Sequence, residues 1–126
     1  MKKTFFLLLM GLLIGLTPSF GQPDKSKRPS PPAEAKAVLN GKTITIDYSQ
    51  PAVRDRKVWG ELVPYGKTWR TGANESTTFE VSDDVTVEGK VLPKGKYALF
   101  TIPGEKEWIV IFNKTIAWGD YSYKEA

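Results

Sequence analysis

Polar and apolar residues alternate most regularly between Lys42 and Ser49, where Ile44, Ile46 and Tyr48 are interleaved with Thr43, Thr45 and Asp47. A period of two marks a half-buried strand. Asn40-Gly41 stands just before it, with Ala35–Leu39 on the other side. Both turn residues tolerate positive φ, so the pattern predicts a two-residue hairpin with Ile44, Ile46 and Tyr48 facing inward. Pro51 then stops the ladder, having no N–H to contribute. Alternation returns at Thr77, Phe79 and Val81, set against Thr78 and Glu80, and predicts a strand over Ser76–Ser82. Val85–Val87 and Lys90–Leu92 flank Glu88-Gly89, a second hairpin signal.

Tyr97–Ile102 and Trp108–Asn113 form the strongest expected pair, joined by Pro103-Gly104-Glu105-Lys106. Trp108 to Phe112 is apolar at every position, which predicts a central strand covered on both faces. Ala52–Lys67 shows no alternation. Its Trp59, Leu62 and Val63 are broken by Gly60, Pro64 and Gly66, so a loop with one short helical turn is expected, packed down by its aromatics. Short strands separated by Gly- and Pro-bearing turns, without a helical period, define an all-β class, an antiparallel β-sandwich or partial barrel.

The opening segment follows a different rule. Lys2 and Lys3 precede an apolar run from Phe5 to Leu16, and small residues stand at Ser19 and Gly21. That order is the pattern of a secretory signal peptide cleaved before Gln22, and the run is too short for the roughly twenty residues of a bilayer span. The expected organisation is a signal peptide over 1–21, a Pro- and Lys-rich solvated linker over 22–34, and a β domain over 35–126. Export to the periplasm, cell surface or medium follows, with no membrane span left after cleavage.

Composition narrows the chemistry. The chain has neither His nor Cys. Ser-His-Asp and Cys-His hydrolysis and His-ligated zinc therefore lack their parts, and no disulfide can staple the domain. No cofactor and no metal site is expected. Losing Lys2 and Lys3 with the leader lowers the net charge from +4 to +2, and the remaining cations are mixed with acids, so no nucleic-acid partner is expected. Asp83-Asp84 lacks the ligand spacing of a calcium loop, and Lys94-Gly95-Lys96 has no helix after it to make a phosphate loop.

The segment with the most chemistry is Trp69-Arg70-Thr71-Gly72-Ala73-Asn74-Glu75. An aromatic, a cation, an amide and a carboxylate around a turn glycine suit a small polar ligand or a glycan, with Trp69, Arg70, Asn74 and Glu75 as the candidate binding residues. Turns often use such residues structurally, and in that competing reading Trp69 is core, Asn74 caps the turn and Arg70 pairs with Glu75. Trp118-Gly119-Asp120-Tyr121-Ser122-Tyr123 could flank the same surface. Three functions fit these features: a non-catalytic binding or scaffolding domain, a glycan hydrolase using Glu75 with Asp47 or Asp120, and a structural module of the cell surface. The hydrolase requires two carboxylates roughly 5–10 Å apart across a cleft.

Ordered short motifs give the chain a family resemblance. Leu62-Val63-Pro64-Tyr65-Gly66-Lys67, Trp69 to Glu75, Leu92-Pro93-Lys94-Gly95-Lys96-Tyr97, Phe100-Thr101-Ile102-Pro103, Trp108 with Ile111-Phe112-Asn113-Lys114, and Trp118-Gly119 occur in sequence. Together they resemble the bacterial domain-of-unknown-function family numbered 2911, common in exported proteins of Bacteroidetes-type bacteria. The resemblance implies no activity, substrate or catalytic residue. It does imply further β strands after Trp118-Gly119, so residues 35–126 are expected to form the N-terminal part of a larger domain, incomplete at the C-terminus.

Overall fold

A computed structural model of the chain describes residues 21–117. Seven strands build two antiparallel sheets. They are β1 (Pro32–Leu39), β2 (Lys42–Ser49), β3 (Thr78–Val81), β4 (Val85–Val87), β5 (Lys90–Leu92), β6 (Gly95–Ile102) and β7 (Ile109–Asn113). The larger sheet runs β1-β2-β3-β6-β7, and β4-β5 is a separate hairpin. The fold is all-β, and among the described residues neither sheet closes into a barrel.

Both hairpins form where the turn residues predict them. Leu39 pairs with Lys42 across Asn40 (φ 50°) and Gly41 (φ 76°), and Val87 pairs with Lys90 across Glu88 (φ 47°) and Gly89 (φ 76°). Two consecutive positive φ values give the tight turn whose twist matches that of antiparallel strands. Ile44 lies opposite Val81 and Ile46 opposite Phe79, so the predicted apolar set does share one face. The burial contrast is weaker than the alternation implies. Thr43, Thr45 and Asp47 are as half-buried as Ile44, Ile46 and Tyr48.

The core lies along β6. Tyr97, Ala98 and Phe100 are buried, and Val81 and Val63 join them. Tyr97 and Ala98 point to opposite faces yet both are covered, so β6 is the strand buried on both sides. The sequence assigned that position to Trp108–Asn113. Among the described residues β7 pairs with β6 alone, and Ile109 and Val110 are 55% and 49% exposed. A run apolar at every position shows that a strand belongs to the most apolar pair. It does not say which member has neighbours on both edges.

The β4-β5 hairpin is linked to one face of the larger sheet. The Tyr97 hydroxyl donates to the Pro93 carbonyl at 2.6 Å, and Val87 and Leu92 share a cavity of about 510 Å³ with Val110 and Phe112. On that face the Phe112 ring meets Phe79 edge-on at 5.0 Å and Tyr97 at 6.2 Å. The predicted helical turn in Ala52–Lys67 is absent. Turns there are closed instead by Val63 N–H donating to Val58 C=O at 2.8 Å and Gly60 N–H to Val63 C=O at 3.0 Å. Gly60 and Gly66, both at positive φ, are placed where a helix would break.

The stretch before β1 is more than a solvated spacer. The strand begins at Pro32 rather than Ala35, and Lys25–Lys27 forms a 3-10 turn capped by Asp24. Arg28, Pro29 and Ser30 lie against the domain.

Candidate ligand-binding cleft

After β2 the chain leaves the sheet and returns to it at Trp69. The departure is fixed by Gln50 N–H donating to Pro31 C=O at 2.9 Å. Arg54 and Asp55 then take left-handed φ values of 50° and 56°. Arg56 holds this turn: Nε donates to Val53 C=O at 2.9 Å and Nη2 to Ala52 C=O at 2.7 Å. On the return, Trp69 and Thr101 exchange both backbone hydrogen bonds, at 2.7 and 3.0 Å. They do so on the same edge of β6 from which Leu99 N–H reaches Thr77 C=O. The Trp69 segment thus continues the line of β3 beside the end of β6.

From there the chain reverses sharply, with Thr71 and Asn74 both at φ 58°. Thr77 Oγ1 donates to Thr71 C=O at 2.8 Å and Thr71 Oγ1 meets Thr101 Oγ1 at 2.9 Å. Gly72 sits inside the bend. A Cβ there would lie 2.7 Å from Thr77 Oγ1, closer than real contacts allow.

These turns enclose a cleft of about 480 Å³. Arg54, Arg56 and Arg70 line it with Leu62, Val63 and Trp69, and Pro29 and Ser30 form the wall from the N-terminal side. Among the described residues, no Asp, Glu, Asn or Gln lines it. Arg70 Nε donates to Gly72 C=O at 3.3 Å, which fixes the guanidinium while leaving both Nη groups to point elsewhere. Trp69 packs edge-on against Trp59 at 6.0 Å and Trp108 at 6.4 Å, and Trp59 and Trp108 meet at 5.1 Å. Since Trp108 also lines the second cavity, this aromatic trio stands between the two.

The four predicted binding residues divide into two pairs. Trp69 and Arg70 line the cleft. Asn74 and Glu75 face the N-terminal segment instead. Asn74 Nδ2 donates to Ser30 C=O at 3.0 Å. Arg28 Nη1 donates to both Glu75 carboxylate oxygens at 2.9 Å, and Lys25 Nζ stands 3.0 Å from Oε1. The Arg28 hydrogen bond, with smaller help from the Glu75 amide and Lys25, pulls the Glu75 carboxyl from the ordinary 4.5 down to about 2. The expected Arg70–Glu75 pair is therefore not made, because Arg28 occupies the carboxylate.

Sequence reasoning missed Arg28, Arg54 and Arg56. A signal existed. The chain has only four arginines among its eighteen cations, and Arg54-x-Arg56 falls in a loop that shows no alternation. The distance in sequence to Arg70 hid their convergence. Asp47, one of the proposed hydrolase carboxylates, lies 3.6 Å from Lys96 on the sheet and is not in the cleft. Asp120 and the Trp118–Tyr123 stretch lie outside the described residues. Asp84 serves its turn, with Oδ1 accepting from Lys94 N–H at 2.7 Å.

Fold and site together define a small all-β domain with an arginine-lined cleft built from the loop between its second and third strands. The chain belongs to DUF2911, a family of proteins of unknown function, whose model matches residues 30–126. Neither a curated protein nor a solved structure matches the chain.

Proposed function

We propose that the protein is an exported, non-catalytic binding domain that works outside the cytoplasm and takes a small polar ligand in the cleft beside Trp69 and Arg70. The observation that carries this reading is the cleft itself, where an aromatic and guanidinium groups converge from two separate stretches of the loop. Such a mixture of apolar surface and a few fixed polar groups is what orients a bound small molecule. Among the described residues the lining contains no carboxylate, and Glu75 is held ionised by Arg28 outside it. The cleft therefore offers donors and apolar area but no acid–base pair, which favours binding over glycan hydrolysis. Among the described residues no helix is long and apolar enough to cross a membrane.

A thermal-shift screen of the exported protein against sugars and small carboxylates tests the binding function. A ligand that raises the melting temperature, and loses that effect in Trp69→Ala, supports it. A hit whose effect survives that substitution would place the ligand elsewhere and refute the cleft as its site. For export, mass spectrometry of the secreted protein should find Gln22 as the first residue, and a protein retained in the cytoplasm with Met1 intact would overturn the signal peptide.

A further inference from the structure

We infer that the cleft binds an organic oxyanion, a carboxylate or phosphate ester carried on an apolar body. This rests on the cleft being the ligand site and names the chemistry it selects. Three of the chain's four arginines line the same cleft, although Arg54 and Arg56 are separated from Arg70 by the whole return of the loop. The fourth, Arg28, adjoins the cleft wall at Pro29 and is matched by Glu75 at 2.9 Å. The other three have no carboxylate within salt-bridge distance among the described residues.

The hydrogen-bond inventory points the same way. A guanidinium carries five N–H donors and accepts nothing. Arg56 commits Nε and Nη2 to carbonyls, Arg70 commits Nε, and Arg54 makes no side-chain hydrogen bond among the described residues. Most of the donors are left for a ligand. Side-chain acceptors are nearly absent, since among the described residues Ser30 and Thr68 supply the only hydroxyls in the lining. Each sugar hydroxyl brings a donor as well as acceptors, and those donors would find few side-chain acceptors here. An oxyanion presents acceptors only. Guanidinium groups also give up water more readily than ammonium groups and match the planar fork of a carboxylate or two phosphate oxygens.

Charge and shape complete the case. Three cations with no ion-pair partner among the described residues, gathered around one concavity, raise the local potential and attract an anion over distance. Leu62, Val63 and Trp69 add apolar surface to the same walls, so an anion with an apolar body fits better than a bare ion.

Isothermal titration calorimetry of the full exported protein at low salt tests this with four probes: benzoate, phenyl phosphate, inorganic phosphate and methyl glucoside. Benzoate or phenyl phosphate should bind, inorganic phosphate more weakly, and methyl glucoside not at all. The stronger of the first two identifies the anionic group. Arg54→Gln and Arg70→Gln should each weaken the bound anion about 10- to 100-fold, as expected for loss of a charge-assisted hydrogen bond. Raising the salt should weaken it further, and Lys36→Gln, on β1, should change nothing. Circular dichroism melts of the arginine variants should match the parent. If methyl glucoside binds and is lost in Trp69→Ala while the anions do not bind, the cleft stands as a ligand site and the anion inference falls. If no probe binds, both fall. Anion binding that ignores Arg54 and Arg70 but disappears in Arg28→Gln would move the site and overturn the inference.

Discussion

Two arginine settings lie on either side of the same wall, and they are opposite in kind. At the Glu75 corner, Arg28 and Lys25 surround one carboxylate, and that acid finds its partners within the chain. In the cleft, Arg54, Arg56 and Arg70 converge without an acid among the described lining residues. The first arrangement ties the segment before β1 to the turn before β3. The second leaves donors for something else. The contrast shows why a motif is a poor guide to a site. Trp69 to Glu75 is one short stretch, yet its first half faces the cleft and its second half faces the tie. The reversal at Thr71–Asn74 separates them.

Both settings depend on β6, so the largest effect should come from its core. Phe100 is 1% exposed, and the neighbouring Thr101 bonds Trp69 while Leu99 bonds Thr77. Phe100→Ala should cost about 3–5 kcal/mol in denaturant unfolding. It should disable cleft binding and the Glu75 tie together. Loss of one without the other would show that the two regions are independent.

Gly72 lies on the boundary between them. Gly72→Ala places a Cβ 2.7 Å from Thr77 Oγ1 and 3.4 Å from the Ser49 carbonyl. A destabilisation of about 1–3 kcal/mol is expected from this overpacking. Unchanged stability would mean that Thr77 can turn away freely and that the bend does not need glycine.

Arg28→Ala removes the tie and should leave the cleft arginines in place. The Arg28 and Glu75 side chains are 33% and 38% exposed, so solvent screens the pair and a loss of about 0.5–1 kcal/mol is expected. The same pair sets a pH dependence. Glu75 has its folded pKa lowered to about 2, so its stabilisation is present above the ordinary 4.5 and disappears as pH falls toward 2. The stability difference between the parent and Glu75→Gln, measured by thermal melts, should shrink across that acid window. A difference that persists at pH 2 would remove the ion pair as its cause. The smallest effect on stability belongs to Arg54→Gln. Its side chain bonds nothing among the described residues, so unfolding should change by no more than about 0.5 kcal/mol. A larger loss would make the cleft structural, like the corner beside it.

Much of the local structure was legible. Asn40-Gly41 and Glu88-Gly89 predicted two hairpins that the structure contains, because a two-residue turn with two positive φ values depends on its own residues and the strands beside it. Tyr97–Ile102 and Trp108–Asn113 pair as expected, two apolar strands joined by a short Pro-Gly-bearing connection. Half of the candidate site was legible too, since Trp69 and Arg70 line the cleft. Asn74 and Glu75 were assigned to it because they are close in sequence, and closeness in sequence says nothing about direction once the backbone reverses.

The sequence by itself determined the class of fold, the places of the turns and the family. Alternation, turn chemistry and motif order are all written along the chain. The tertiary structure decided which apolar strand became the inner one, which cation found Glu75, and that Arg54, Arg56 and Arg70 share a cleft. The reason is geometric. Strand order and the meeting of distant loops are set by hydrogen bonds such as Trp69 to Thr101 and Gln50 to Pro31, between residues far apart in the chain, and no periodicity records them.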